Sequence, residues 1–112
     1  MSERVPVFDD DRGRLVAIEF AGLPFAPQRA FTVTGVPGGS TRGGHRASCA
    51  EYVVLTGGRA VVRAGEADAP VVTELAVPGS ALLIPAGTWI AYDLADEHSS
   101  LVVLAERPDP RG

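Results

Sequence analysis

The chain has no lysine, a single cysteine, a single tryptophan and no apolar run of membrane-spanning length, and each scarcity closes off a class of protein. Its one thiol, Cys49, cannot form an internal disulfide, which fits a reducing compartment and a cytoplasmic location. The amino-terminal Met1-Ser2-Glu3-Arg4 lacks the apolar stretch that marks a secretory leader. All ten basic residues are arginine, set against fourteen acidic ones. The net charge of −4 offers no bulk attraction for nucleic acid or an anionic membrane. Arginine suits phosphate and carboxylate forks, but a complete lack of lysine points first to genomic bias. With 46% hydrophobic and 21% charged residues, the 112 residues are expected to form one globular domain with a modest core.

Thirteen glycines and nine prolines punctuate short apolar runs, and no long stretch has helical periodicity. Strands are expected at Leu15–Glu19, Ala30–Val33, Glu51–Leu55, Ala60–Arg63, Val71–Leu75, Ala81–Ile84, Trp89–Leu94 and Ser100–Ala105. Turn chemistry separates them at Gly57-Gly58, Gly65 to Asp68, Pro78-Gly79 and Pro85 to Gly87. Many short strands with regular turns imply an antiparallel sandwich or barrel. Residues 107–112 are expected to fray as a flexible tail.

One spacing organises the chemistry. From Gly39 the sequence runs G-x5-H-x-A-x3-E through His45, Ala47 and Glu51, with Gly58 following after six residues. This resembles the first cupin motif, G-x5-H-x-H-x3-E-x6-G, with Ala47 at the place of the second histidine. Gly79, Pro85 and Gly87 keep the spacing of the second cupin motif, in which Ile90 takes the histidine place and Leu94 the asparagine place. The resemblance implies an all-β double-stranded β-helix, or jelly-roll, barrel. Strand alternation would put His45, Ala47, Cys49 and Glu51 on one face, if the strand is continuous there, and Ile90, Tyr92 and Leu94 on another inward face. Gly43-Gly44 reads most simply as the turn into that first strand.

A mononuclear metal site needs three or four convergent ligands. Only His45 and Glu51 stand at motif positions able to supply them, so no metal and no cofactor is expected. His98 sits in a polar turn and is read as solvated.

The resemblance extends further. Asp11-Arg12-Gly13-Arg14-Leu15-Val16-Ala17-Ile18-Glu19, Leu23-Pro24-Phe25, Arg29-Ala30-Phe31 and Arg42-Gly43-Gly44-His45 follow in order. In that order they resemble the WxcM-like family of sugar 3,4-ketoisomerases, over about residues 5 to 107. That family implies a metal-free cupin, usually a homodimer exchanging N-terminal strands (here residues 1–20). Its members move a ketone along a nucleotide-linked 4-keto-6-deoxyglucose by proton abstraction, an enediol and reprotonation. Carried over by position, His45 matches the first histidine of the family's H-A-H, and Arg12 and Arg42 match pocket arginines. Phe31 falls on a family tyrosine, Arg46 on the small residue between the histidines, and Ala47 on the histidine expected to be the base.

The reading is therefore an isomerase-type enzyme acting by keto–enol proton transfer on a keto-deoxysugar nucleotide or related small molecule of a biosynthetic pathway. His45 and Glu51 are the expected catalytic residues, with Glu51 orienting His45 or acting as base itself. Arg12, Arg29, Phe31, Arg42, Arg46, Trp89 and Tyr92 are the expected substrate-binding residues. Bland roles stand beside these: surface ion pairs with Asp9, Asp10 and Asp11 for the arginines, core or dimer packing for Trp89 and Tyr92, and a small buried hydrophobe for Cys49. Two alternatives are a non-catalytic ligand-binding cupin and a tailoring enzyme of secondary metabolism acting on an apolar substrate. The loss of motif side chains and the apolar Ala47, Ile90 and Phe31 motivate them.

Overall fold

The computed structural model describes residues 3–108, so residues 109–112 of the expected tail lie outside it. Among the described residues the strands run β1 (Glu3–Arg4), β2 (Val7–Asp10), β3 (Gly13–Val16), β4 (Arg29–Thr34), β5 (Ser40–Arg46) and β6 (Glu51–Gly57). They continue with β7 (Ala60–Glu66), β8 (Ala69–Leu75), β9 (Ser80–Ile84), β10 (Trp89–Leu94) and β11 (Ser100–Ala105). A single 3-10 turn occupies Phe20–Gly22, and no helix among the described residues is long and apolar enough to cross a membrane.

The strands form a five-stranded sheet in the order β1-β9-β6-β11-β4 and a four-stranded sheet in the order β5-β10-β7-β8, with β2-β3 as a separate hairpin. Every pairing is antiparallel. From β4 onward the chain changes sheet at each connection except the β7–β8 hairpin, which is the jelly-roll path of a cupin.

The inner faces meet in one cluster, with Val53, Leu55, Leu101 and Val103 from one sheet against Val62, Ile90, Tyr92 and Leu94 from the other. Each fully buried aliphatic side chain there contributes roughly 2 kcal/mol. The inward face expected for Ile90, Tyr92 and Leu94 is thus the observed one. A second cluster lies on the outer face of the five-stranded sheet. There the N-terminal residues Val5, Val16, Ile18, Leu23 and Phe25 cover Tyr52, Val54, Ala81 and Leu104. Covering both faces explains why Glu51-Tyr52-Val53-Val54-Leu55 is buried at every position instead of alternating.

Three expectations are corrected. The strand expected over Leu15–Glu19 is the shorter β3, ending at Val16 and paired with β2, after which the chain turns to pack on the outer cluster. β5 was not among the expected strands, because its Gly, Ser and Thr content has the composition of a turn. Finally, no single strand joins His45 to Glu51: the chain leaves the sheet between β5 and β6, and residues 47–50 bend across.

Candidate active site

The geometry begins with Gly43-Gly44. They lie inside β5 at φ +93 and +83, and the pairing with β10 slips there: Ile90 faces His45, Ala91 faces Gly43 and Tyr92 faces Arg42. Gly44 is the extra residue of a β-bulge, not part of a turn. Directly opposed residues of an antiparallel pair project to the same side. Because Ile90 and Tyr92 both point inward, His45 and Arg42 do too. Three residues apart on a regular strand, they would point to opposite faces. The glycine doublet therefore puts a cation and an imidazole on one wall, and a doublet within a strand is the signal from which a bulge could have been read.

That wall bounds a cavity of about 680 Å³, lined also by Arg29, Phe31, Ser48, Glu51 and Tyr92. Arg29 and Phe31 share the inward face of β4, with the guanidinium 4.6 Å from the ring centroid. Glu51 opens β6, on the other sheet from Tyr92, and is buried. The Tyr92 hydroxyl donates to Glu51 Oε1 at 2.8 Å, linking the two sheets across the cavity. Burial, reinforced by the Glu51 charge, pushes the Tyr92 phenol far above its ordinary value, so it remains a neutral donor. Glu51 was expected to orient His45; its hydrogen bond comes instead from Tyr92, while the exposed His45 ring has no hydrogen bond among the described residues.

Arg46 also lines the cavity, donating to the Gly87 carbonyl at 2.8 Å and to Glu66 at 2.7 Å. Other expected site residues stand elsewhere. Trp89 is on the opposite face of β10 from Tyr92, beside Arg63, whose guanidinium is 5.7 Å from the ring. Arg12 lies at the tip of the β2–β3 hairpin, bound to Asp10 at 2.6 Å, the surface ion pair of the bland reading. Ala47, Cys49 and Ile90 are buried and do not line the cavity. Thr32, Thr34 and Ser48 do line it and were missed; as small polar residues in a strand and a bend they carry no distinctive sequence signal. Among the described residues no three His, Cys, Asp or Glu side chains converge as a metal site.

The outer face of the same sheet holds an ion pair that the sequence reading did not isolate. Arg63 grips Asp93 through Nε at 2.7 Å and Nη2 at 3.0 Å, and Thr41 donates to the same carboxylate at 2.7 Å. The Arg63 hydrogen bond chiefly, then Thr41, holds the Asp93 carboxyl below its ordinary 3.8. A depressed folded value stabilises above the unfolded one, and the contribution is lost as pH falls through the folded value. With each side chain about one-third exposed, solvent screening keeps the contribution of the pair small. Asp93→Asn is expected to flatten the loss of melting temperature below about pH 4; an unchanged acid limb would refute this.

The comparisons agree with this architecture. The family described as FdtA: WxcM-like, C-terminal matches residues 2–108. No curated protein matches the chain. Among solved structures, a double mutant of QdtA, a 3,4-ketoisomerase from Thermoanaerobacterium thermosaccharolyticum in complex with TDP, superposes with a TM-score of 0.80 at 26% identity, covering 99% of this chain and 82% of that one. A further QdtA mutant, in complex with TDP-4-keto-6-deoxyglucose, gives 0.78 at 24%, covering 99% and 83%. A 3,4-ketoisomerase from Helicobacter canadensis gives 0.79 at 22%, covering 97% and 84%.

Proposed function

The chain belongs to the WxcM-like family, and on that premise we propose that it is an isomerase that moves a carbonyl to the neighbouring carbon of a TDP-linked keto-deoxysugar. The observation that carries this reading is the bulge that turns Arg42 and His45 into the same cavity as Glu51 and Tyr92. Such a reaction needs a base for a carbon-bound proton, a proton donor for the enediolate oxygen and a cation for the pyrophosphate. His45 supplies an imidazole, which can both accept and donate a proton. Arg42 supplies a guanidinium fork for phosphate oxygens. Trp89, facing away, is assigned no substrate contact.

The working unit is proposed to be a metal-free homodimer of single-domain chains, cytoplasmic, in a biosynthetic pathway of secondary metabolism. In support, Phe8 and Leu15 form a cross-strand pair on the β2–β3 hairpin yet are 62% and 57% exposed. Exchange of residues 1–20 would bury that pair and could bring Arg12 to the partner's cavity. Met1 and Ser2 of that range lie outside the described residues.

Incubation with TDP-4-keto-6-deoxyglucose in deuterated water tests the reading. Formation of the 3-keto isomer with deuterium on the sugar ring is expected, together with a rise in melting temperature on adding TDP. A rise in melting temperature without isotope exchange would leave a ligand-binding cupin. No response to TDP at all would sink the sugar reading.

A further inference from the structure

The family resemblance puts the base at the position of Ala47, which offers no proton acceptor. Ala47 is 2% exposed, belongs to the core cluster and is held by its backbone to Thr88 and Gly87. The acceptor must come from elsewhere on the cavity wall. The arginines of the wall cannot be deprotonated. Tyr92 keeps its proton. His45 and Glu51 remain, and their surroundings differ. His45 sits at the exposed mouth without a hydrogen bond among the described residues, whereas Glu51 is 7% exposed and is fixed by a donor from the opposite sheet.

Building on the ketoisomerase reading, we infer that Glu51 is the base for the carbon-bound proton in this chain, with Tyr92 as the positioning residue that holds its carboxylate. Abstraction from carbon requires a base held steadily within reach of one C–H bond. A carboxylate tethered across two sheets meets that need better than an untethered ring at the mouth. The electron inventory closes without any further reagent. The Glu51 carboxylate takes the proton from the carbon bearing the hydroxyl, and the freed pair forms the carbon–carbon double bond. The carbonyl π pair moves onto its oxygen, which takes a proton from His45. The neighbouring hydroxyl then returns its proton to His45 as its oxygen becomes the new carbonyl. The Glu51 carboxyl exchanges its proton with solvent while the enediol stands, and the double-bond pair then takes that solvent-derived proton at the former carbonyl carbon. A glutamate serving the carbons while a histidine serves the oxygens is a chemically complete division of labour.

The test compares wild type, Glu51→Gln, Tyr92→Phe and His45→Asn for ring deuteration with TDP-4-keto-6-deoxyglucose, with stabilisation by TDP as the readout of folding and binding. Glu51→Gln, which can still accept from Tyr92, is expected to keep TDP stabilisation and lose exchange by about 10²–10⁴-fold. His45→Asn is expected to lose less. Tyr92→Phe keeps the ring packing, so kcat is expected to fall about tenfold, the equivalent of one modest hydrogen bond, with KM unchanged. Exchange in Glu51→Gln within tenfold of wild type, or lost only in His45→Asn, would overturn the assignment and leave the ketoisomerase reading intact. A Tyr92→Phe variant with unaltered kcat would overturn the positioning role even if Glu51→Gln failed to fold. A wild type without exchange would remove the ketoisomerase reading and this inference with it.

Discussion

Gly58→Ala is expected to lower the melting temperature by about 15 °C, the equivalent of roughly 3 kcal/mol in a domain of this size. Gly58 closes the first cupin spacing and sits between β6 and β7 at φ +64. A methyl group there would stand 2.6 Å from Ser99 Cα and 2.8 Å from the His98 carbonyl oxygen. Both obstacles are backbone, and they belong to a turn that cannot step aside. Ser99 is 1% exposed, and its hydroxyl donates to the Arg59 carbonyl at 2.6 Å while its own carbonyl accepts from Gly35. Gly38→Ala is the control: its φ of +85 imposes similar conformational strain, but nothing lies within 4 Å of the added methyl. That variant is expected to lose only about 1 kcal/mol, or about 5 °C. Equal losses in the two thermal melts would mean that backbone strain alone, not close approach, reserves Gly58 for glycine.

Arg42→Ala is expected to weaken TDP binding about 30-fold, the equivalent of about 2 kcal/mol for one charge-assisted contact. Arg42 lies opposite Tyr92 in the β5–β10 register and faces the cavity only because of the bulge at Gly44. The control is Arg59→Ala, whose guanidinium is paired with Glu74 at 3.2 Å and does not line the cavity. Titration calorimetry at low and raised salt separates the two sites. A specific loss confined to Arg42→Ala, and shrinking with salt, is the expected pattern. Equal effects of both substitutions would indicate diffuse attraction rather than a phosphate subsite.

How much of this was legible beforehand depends on the range over which each feature is set. Most strands show as short apolar runs between glycine and proline turns, and Ile90, Tyr92 and Leu94 share a face simply because a strand alternates. β5 escaped because Ser40-Thr41-Arg42-Gly43-Gly44-His45-Arg46 carries only polar and glycine signals, and its strand character comes from the hydrogen bonds of β10. β6 showed as apolar, but why both its faces are apolar needed the N-terminal segment folded back over Tyr52 and Val54.

The candidate site divides the same way. Gly39, His45, Glu51 and Gly58 at cupin spacing, with Ala47 and Ile90 in place of histidines, are facts of chain order, and they point to the fold class by themselves. Which side chains meet does not follow from them. A one-residue bulge resets the parity of everything beyond it, so Arg42 joins His45, while regular alternation puts Trp89 on the face away from Tyr92. Glu51 and Tyr92 are 41 positions apart on strands of different sheets, and only the packing of one sheet on the other brings that hydroxyl to that carboxylate. Local alternation is written in the chain; contacts between sheets arise from how the sheets close on their common core.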